Sequence, residues 1–207
     1  ISYLAFENYI LSLTRAKSFT SSVMAVKIVD IERIHAENRP SEFIARLRLV
    51  GQALADDAGT LYASSLQGVI FKISPTGAVS LFAGNPNARG HADGPAGSAL
   101  FSALGHMALD PAGNLYVVDG RYHNITGVGP TIRKITPAGS VSTVAGRADM
   151  PPGLVNGPVS SAQLAVDTGA ALSDSQAHLA ADAKGNVYVT DPRHHVVRKI
   201  GVDGQVS

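Results

Sequence analysis

Three stretches of this 207-residue chain repeat one pattern, and the repetition limits what the chain can fold into. In each copy an apolar run leads into an Asp-x-x-Gly turn, and an alternating segment with a tyrosine at a fixed place follows. The copies read DDAGTLYASSLQG at 56–68, DPAGNLYVVDGRYHN at 110–124 and DAKGNVYVTDPRHH at 182–195. β-branched and aromatic residues at period two predict strands, and Asp and Gly suit the turns between them. The chain is therefore expected to build similar β units in series.

Each copy continues with two further strand segments. VIFKI, TIRKI or VVRKI comes first, then a second Gly-containing turn, then VSLFAG or VSTVAG; the third copy reaches Ser207 where this last strand would begin. Four short antiparallel strands per unit describe the blade of a β-propeller, which buries its faces by stacking against neighbouring blades. The sequence predicts an all-β fold with three recognisable four-stranded blades, at about 50–84, 104–146 and 176–207.

Residues 1–49 lack the repeated pattern, and they are predicted to form a separate N-terminal segment. ISYLAFENYILSLTRA at 1–16 places its apolar residues in a rough helical stripe, although it could also be a strand. Ser21–Ile34 alternates imperfectly and favours an extended segment, and Pro40 marks Ala36–Phe43 as a linker. This segment is interpreted as a divergent blade, a cap on the edge of the first blade, or a helix.

Composition excludes several classes of site and partner. The chain has no cysteine, so it contains neither disulfides nor thiolate metal sites. A net charge of +1 gives no electrostatic reason to expect a nucleic-acid partner. No apolar run reaches the roughly 18 residues that a membrane-spanning helix needs. Low charge, abundant Gly and the absence of Cys favour a protein exported from a bacterial cell: secreted, periplasmic or on the cell surface.

The order GNLYVVD, then His, then IRKITPAGSVSTVAG closely resembles the NHL-repeat family of β-propellers over about residues 50–207. GHADGPAGSALFSALGHMALD at 90–110 resembles the linker between blades of that family. The first copy departs from the pattern at Ser64 and Ser65. The resemblance implies a propeller of about six blades, within the usual range of four to eight. Three blades could be completed by the rest of a longer chain, by a second copy in a homo-oligomer, or by residues 1–49.

The resemblance and the loop lengths together predict that the chain is a non-enzymatic module for binding or assembly. Its partner would be a protein or a small ligand that meets the long loops 85–99 and 147–176, because loops on a rigid scaffold are where such proteins vary. An alternative is a self-assembling structural subunit that joins other copies through its open blade edges. The candidate binding residues in the loops are Asn87, Arg89, His91, Asp93, Asp149 and Asn156.

His106 and His178 each precede the turn aspartate of their copy by four residues, where the first copy has Gln52. In a propeller this position begins the innermost strand, near the mouth of the central channel, so equivalent residues converge there. Imidazoles are common zinc ligands. A similarity to the peptidyl-amidoglycolate lyases, propellers with zinc-binding His at inner-strand starts, implies His106 and His178 as metal ligands. The second alternative is thus a metal-dependent lyase, esterase or lactonase that uses zinc or calcium, although two His are one short of a usual catalytic zinc set.

The remaining polar positions of the repeat are expected to be structural. His123 and His195 are equivalent to each other, and each is predicted to form a hydrogen bond across its blade turn, with His194 exposed. Asp119 and Asp191 close the second strand and are expected to accept hydrogen bonds from turn amides. The third strands carry alternating basic residues, which are predicted to form a solvated blade edge: Arg133, Lys134, Arg198 and Lys199.

Overall fold

A computed structural model describes residues 50–65, 68–76, 78–120, 129–166, 177–192 and 194–207. The predictions for residues 1–49 and for His123 fall outside these ranges. The described residues contain β-strands and no helix, so the all-β prediction is confirmed. No helix long and apolar enough to cross a membrane occurs within these ranges either.

The strands form three antiparallel sheets, called here blade 1, blade 2 and blade 3. Blade 1 contains β1 Val50–Ala55, β2 Leu61–Ser65, β3 Ile70–Ile73 and β4 Val79–Ala83. Blade 2 contains β5 Leu104–Leu109, β6 Leu115–Asp119, β7 Thr131–Ile135 and β8 Val141–Gly146. Blade 3 contains β9 Gly157–Pro158, β10 Leu179–Ala181, β11 Val187–Asp191, β12 Val196–Ile200 and β13 Gln205–Val206.

All three blades share one strand order and one register. In blades 1 and 2 the strands pair in sequence order, and in blade 3 the order is β10-β11-β12-β13-β9. The tyrosine of the second strand stands opposite a lysine of the third strand in every blade: Tyr62 and Lys72, Tyr116 and Lys134, Tyr188 and Lys199. The repeated sequence thus produces a repeated register.

The Asp-x-x-Gly turns form as predicted. Asp110 accepts a hydrogen bond from the Asn114 amide nitrogen across 2.9 Å, and Asp182 accepts one from the Asn186 amide nitrogen at the same distance. The turn glycines adopt positive φ, for example 78° at Gly113, a conformation that costs glycine little. The aspartate therefore fixes the turn, and the glycine allows it to close.

Two apolar cores join the blades face to face. One lies between blades 1 and 2 and contains Ile70 of blade 1 and Val117 of blade 2, both fully buried. The other lies between blades 2 and 3 and contains Val118 and Val189. Successive residues of β6 enter different cores because side chains alternate across a sheet. Blade 2 is thus buried on both faces, as the interior blade of a stack.

The first strands of the blades lie side by side, since β5 contacts both β1 and β10. Neighbouring inner strands and stacked four-stranded sheets together have the architecture of a partial β-propeller. The sequence predicted this arrangement from the repeat alone.

Short hairpins before blades 2 and 3 were not predicted. Gly94 pairs with Val141 on the outer strand of blade 2, and β9 pairs with β13 on the outer strand of blade 3. Ala92 pairs with Leu100, and Val155 pairs with Gln163, so each segment folds back on itself. We call residues 90–101 and 153–164 the linker hairpins. Each one adds a fifth element to the edge of the blade that follows it.

A buried arginine holds each linker hairpin, which corrects the expectation of a solvated edge. Arg133 is 1% exposed and donates to the carbonyl oxygens of Ala92 and Leu100. Arg198 is 2% exposed and donates to the equivalent carbonyls of Val155 and Gln163. Because neighbouring residues point to opposite faces, Lys134 and Lys199 remain half-buried and exposed respectively. The prediction was wrong for the two arginines, since the linker covers their face of the strand.

Candidate functional site

The topology collects most of the candidate residues at one end of the blades. First strands begin at the end where the linkers arrive and where the second strand connects to the third. We call this the linker end; the Asp-x-x-Gly turns lie at the opposite, turn end. His106 stands near the start of β5, and His178 directly precedes β10, so both belong to the linker end.

His106 and His178 lie side by side, as their equivalent positions predicted. The ring centroids are 4.7 Å apart and the ring planes are tilted by 58°. The Leu179 amide nitrogen donates to His106 Nδ1 across 3.1 Å, which ties blade 2 to blade 3 at this point. His106 is half-buried, whereas His178 is exposed. The two imidazole rings therefore form one surface, of which the His178 ring is exposed to solvent.

The pKa of His106 is lowered from 6.5, first by burial and second by the charge of His178. Both causes disfavour the imidazolium form, so His106 is neutral at neutral pH. A neutral imidazole whose Nδ1 accepts a hydrogen bond carries its proton on Nε2. His106 thus offers an N–H donor to a ligand in this arrangement.

The described residues do not complete a zinc site around this pair. A structural or catalytic zinc usually has three or more protein ligands. Within the described ranges no group of three His, Asp or Glu could hold a metal ion. Gln52 occupies the equivalent strand β1, but its side chain is not described. In addition, Nδ1 of His106 is already bonded to Leu179, so its lone pair is engaged.

A second polar cluster surrounds the buried carboxylate of Asp119. Asp119 accepts hydrogen bonds from the amide nitrogens of Ser102 and Ala103 and from Arg133 Nη1, at 2.8, 3.1 and 2.8 Å. His91 Nδ1 lies 3.2 Å from the same carboxylate. Both ring nitrogens of His91 are buried and have no hydrogen-bond partner among the described residues. The predicted amide bonds of Asp119 are confirmed, and its arginine and histidine neighbours are additions to them.

Asp93 and Asn156, two predicted binding residues, are exposed, and each also binds a buried arginine. Asp93 accepts hydrogen bonds from Arg133 Nη2 across 2.7 Å and from the Thr143 amide nitrogen across 2.9 Å. Burial alone would raise the pKa of Asp93, but these hydrogen bonds bring it below 3.8. Asn156 accepts from Arg198 Nη2 across 2.6 Å. Both side chains therefore fasten a linker hairpin to its blade.

The other predicted loop residues lie nearer to solvent. Arg147 and Asp149 form an exposed ion pair, with Arg147 Nε donating to Asp149 Oδ1 across 2.9 Å. Asn87 and Arg89 are exposed, and the Asn87 amide nitrogen donates to the Asn85 side chain in a turn. Asp149 and His178 are exposed as well.

The histidine that bonds to the strand-end aspartate of blade 3 is His194. Its Nδ1 lies 2.9 Å from Asp191 Oδ2, and its amide nitrogen donates to Asp191 Oδ1 across 3.3 Å. His195 is exposed and adopts a φ of 57°. His194 is exposed, as predicted, but the hydrogen bond that was predicted for His195 is made by His194, because the turn after β11 directs its ring toward Asp191.

A cleft of about 270 Å³ opens at the turn end between blades 2 and 3. Lys134 and Lys184 line it beside Tyr116 and Val202. Lys134 Nζ lies 5.8 Å from the centroid of the Tyr116 ring, which its charge attracts. No sequence feature indicated this cleft, since its walls come from turns of two different blades.

No protein-family model matches the chain, and a search of curated proteins found no match. A Bacteroides thetaiotaomicron structural genomics protein of unknown function is 26% identical, with a TM-score of 0.54 over 68% of this chain and 32% of that one. Auxiliary nutrient binding proteins of Bacteroides ovatus and Bacteroides thetaiotaomicron are 23% and 20% identical, each with a TM-score of 0.54 over 72% of this chain and 36% of theirs. The chain thus spans about a third of the length of these proteins. It shares their β-sheet-rich, propeller-like fold.

Proposed function

We propose that this chain is part of an NHL-type β-propeller that acts as a non-enzymatic binding module of an exported bacterial protein. The ligand meets the linker end at His106 and His178. The observation that carries the proposal is the meeting of these two side chains, 4.7 Å apart, from equivalent positions on neighbouring inner strands. A rigid stack of blades holds them in place, as expected for a site carried by a scaffold.

The buried and arginine-bound carboxylates of this region are committed to the scaffold and are not available as catalytic bases. Catalysis by hydrolysis or elimination needs a base or nucleophile with free access to the substrate. Asp119 is fully buried and already holds Arg133 and two amides, and Asp93 is committed to Arg133 and Thr143. These carboxylates stabilise the scaffold, which leaves the imidazole pair as the accessible polar surface of the inner strands.

The pair suits a polar ligand without strong positive charge. Neutral His106 presents an N–H, and the ring of His178 is exposed beside it. Hydroxyl or amide groups of an oligosaccharide or a peptide can accept from such a donor while their apolar parts pack on the rings. Although two proteins of similar fold are described as nutrient binding, a shared fold does not carry a role over. The histidine pair is the basis of the proposal.

NMR of the histidine ring protons tests this function directly. Neutral oligosaccharides and short peptides would be added one at a time to ¹³C-labelled protein. At least one should shift the His106 and His178 signals, and the double variant H106A/H178A should abolish its binding. The variant H194A is the matched control, because the ring of His194 is also exposed but bonds to Asp191. If no probe moves either signal, or if binding survives the double variant, the proposed site is wrong.

The second candidate is a metal-dependent enzyme with zinc or calcium at the same pair. The adjacency of two imidazoles favours it, and the metal content of the protein after exposure to zinc or calcium and dialysis distinguishes it from the binding module. Stoichiometric metal that is lost in H106A/H178A, together with lactone or ester hydrolysis, would favour the enzyme. Protein that takes up no metal would leave the binding module as the function.

A further inference from the structure

Each blade has two faces that form different joints. The register assigns Tyr62 and Ile70 to one face of blade 1, which we call face B, and Phe71 and Leu81 to the opposite face A. Face B of blade 1 packs on face A of blade 2 in one core. Face B of blade 2 packs on face A of blade 3 in the other. The chain therefore uses the same B-to-A joint twice.

Two faces have no such partner among the described residues. On face A of blade 1, Val79 is 61% exposed and Leu81 is 43% exposed. On face B of blade 3, Val197 is 62% exposed, whereas its equivalents Ile132 and Ile70 are fully buried in the internal joints. Val79 is the equivalent of Val141, which is 2% exposed in the joint between blades 1 and 2. Val79 and Val197 are thus apolar side chains that are buried elsewhere in the repeat and exposed here, which marks an unused joint.

The exposed face B carries the same types of side chain as a face B that is already packed. Tyr188, Thr190, Val197 and Lys199 of blade 3 correspond to Tyr62, Ser64, Ile70 and Lys72 of blade 1. In blade 1 this set meets a face A: Tyr62 is 5% exposed and Ser64 is 1% exposed. Blade 3 thus carries the side chains for the joint that blade 1 makes, and among the described residues the unpaired face A is that of blade 1.

We propose that two copies of this chain associate through these faces, face B of blade 3 in each copy docking on face A of blade 1 in the other. The joint is heterologous, and a two-fold axis generates it twice, so that both of these faces are covered in each copy. Two sets of three blades give a ring of six, which lies within the usual range of about four to eight. The proposed contact between chains is thus the same B-to-A contact that joins neighbouring blades within the chain.

Light scattering coupled to size-exclusion chromatography tests the proposal on the 207-residue chain. We expect twice the chain mass of 21.4 kDa. V197E on face B and V79E on face A should each yield the monomer, because the equivalents of both residues are buried in the internal joints and a charge would have to be buried at both joints. V202E is the matched control: Val202 is 69% exposed but lies in the turn between β12 and β13, off both faces, so its dimer should persist. A monomeric parent chain overturns the proposal.

Mixing the two variants separates this arrangement from a symmetric face-to-face dimer. An equimolar mixture of V197E and V79E chains retains one intact joint, from face B of the V79E chain to face A of the V197E chain. A dimer should therefore reappear in the mixture, although neither variant dimerises alone. If V197E abolishes the dimer while V79E leaves it intact, the contact joins two B faces and the proposed ring is wrong. Circular dichroism that matches the parent chain shows that each variant has folded.

Discussion

Arg133 Nη1 and Asp119 Oδ2 lie 2.8 Å apart, and the two side chains are 1% and 0% exposed. The pair joins the third strand of blade 2 to the end of the second strand, and Arg133 also holds the linker hairpin before the blade. Loss of the arginine would leave a buried carboxylate without its cation. The buried guanidinium of Arg133 therefore connects three elements: the third strand of blade 2, the end of the second strand and the linker hairpin.

R133L is expected to lower the free energy of unfolding by about 3–5 kcal/mol, the usual cost of breaking a buried ion pair. Urea denaturation measures the change. K134L is the control, since Lys134 is the next residue of the same strand and is half-buried; it should change the stability by about 0.5 kcal/mol or less. Equal effects of the two variants would show that the ion pair does not stabilise the blade.

R198L is expected to cost less than R133L. The hydrogen-bond partners of Arg198 are two carbonyl oxygens and the Asn156 side chain, all of them neutral. Its removal should cost about 1–3 kcal/mol, because acceptors lose their donor but no carboxylate loses a bonded cation. The same urea series measures it, and a loss equal to that of R133L would contradict this distinction.

H178A is expected to raise the pKa of His106. The pKa of His106 is lowered from 6.5 by burial and by the nearby charge of His178, and the variant removes the second cause. NMR titration of the His106 ring measures the shift, with H194A as a variant that should leave it unchanged. A His106 pKa that is the same in H178A and the parent would show that the two rings do not interact electrostatically.

The lowered pKa of His106 also predicts a dependence of stability on pH. Below pH 6.5 the unfolded state binds a proton that the folded state resists, so this contribution is present above pH 6.5 and is lost as the pH falls through the lowered pKa. Thermal unfolding between pH 7 and pH 5 measures it. H106A should show a smaller loss over that interval than the parent chain.

Tyr116 is expected to lose its proton at a higher pH than an ordinary tyrosine. Burial, the charge of Asp110 and the hydrogen bond to Asp110 raise its pKa from 10.0 to about 12. Its neutral form is favoured in the folded chain, so this contribution to stability is complete below pH 10 and is lost as the pH rises toward 12. Tyrosinate absorbance should show a late step that Y116F lacks. If that step persists in Y116F, it belongs to another tyrosine.

G146A should destabilise the chain more than G204A. Both glycines have positive φ, 84° and 75°, so alanine is strained at either site by about 1–2 kcal/mol. A Cβ at Gly146 would also meet the carbonyl oxygen of Pro130, whereas one at Gly204 would meet nothing within 4 Å. The difference between their unfolding free energies in urea isolates the steric contribution. Equal losses would mean that the backbone around Pro130 can move aside.

The repeat made the blades predictable because it combines period-two strands with a turn whose residues have fixed roles. Asp110 and Gly113 determine the turn, and the tyrosines mark the register, so strand order and adjacency of inner strands followed from the sequence. The meeting of His106 and His178 followed as well, since equivalent positions converge around a shared hub.

The environment of each side chain was harder to predict. TIRKI shows that Arg133 and Lys134 point to opposite faces, but it does not show that a distant hairpin covers the arginine. The sequence did not show that Asp93, an exposed loop residue, binds Arg133, because its partner is 40 residues away. His194 and His195 are neighbours in sequence, and only the turn geometry after β11 decides which of them reaches Asp191. These features depend on contacts between segments that no local pattern records.

The linker hairpins determine where this protein could be cut or recombined. A boundary drawn at the first strand of a blade would separate Arg133 from the carbonyl oxygens of Ala92 and Leu100 and would remove the hairpin that covers it, although the bond to Asp119 would remain. The smallest segment that could be moved to another chain with these contacts intact therefore starts at about residue 90 and runs to Gly146. Duplication or exchange of segments would preserve folding when a linker hairpin and the sheet that follows it are moved together.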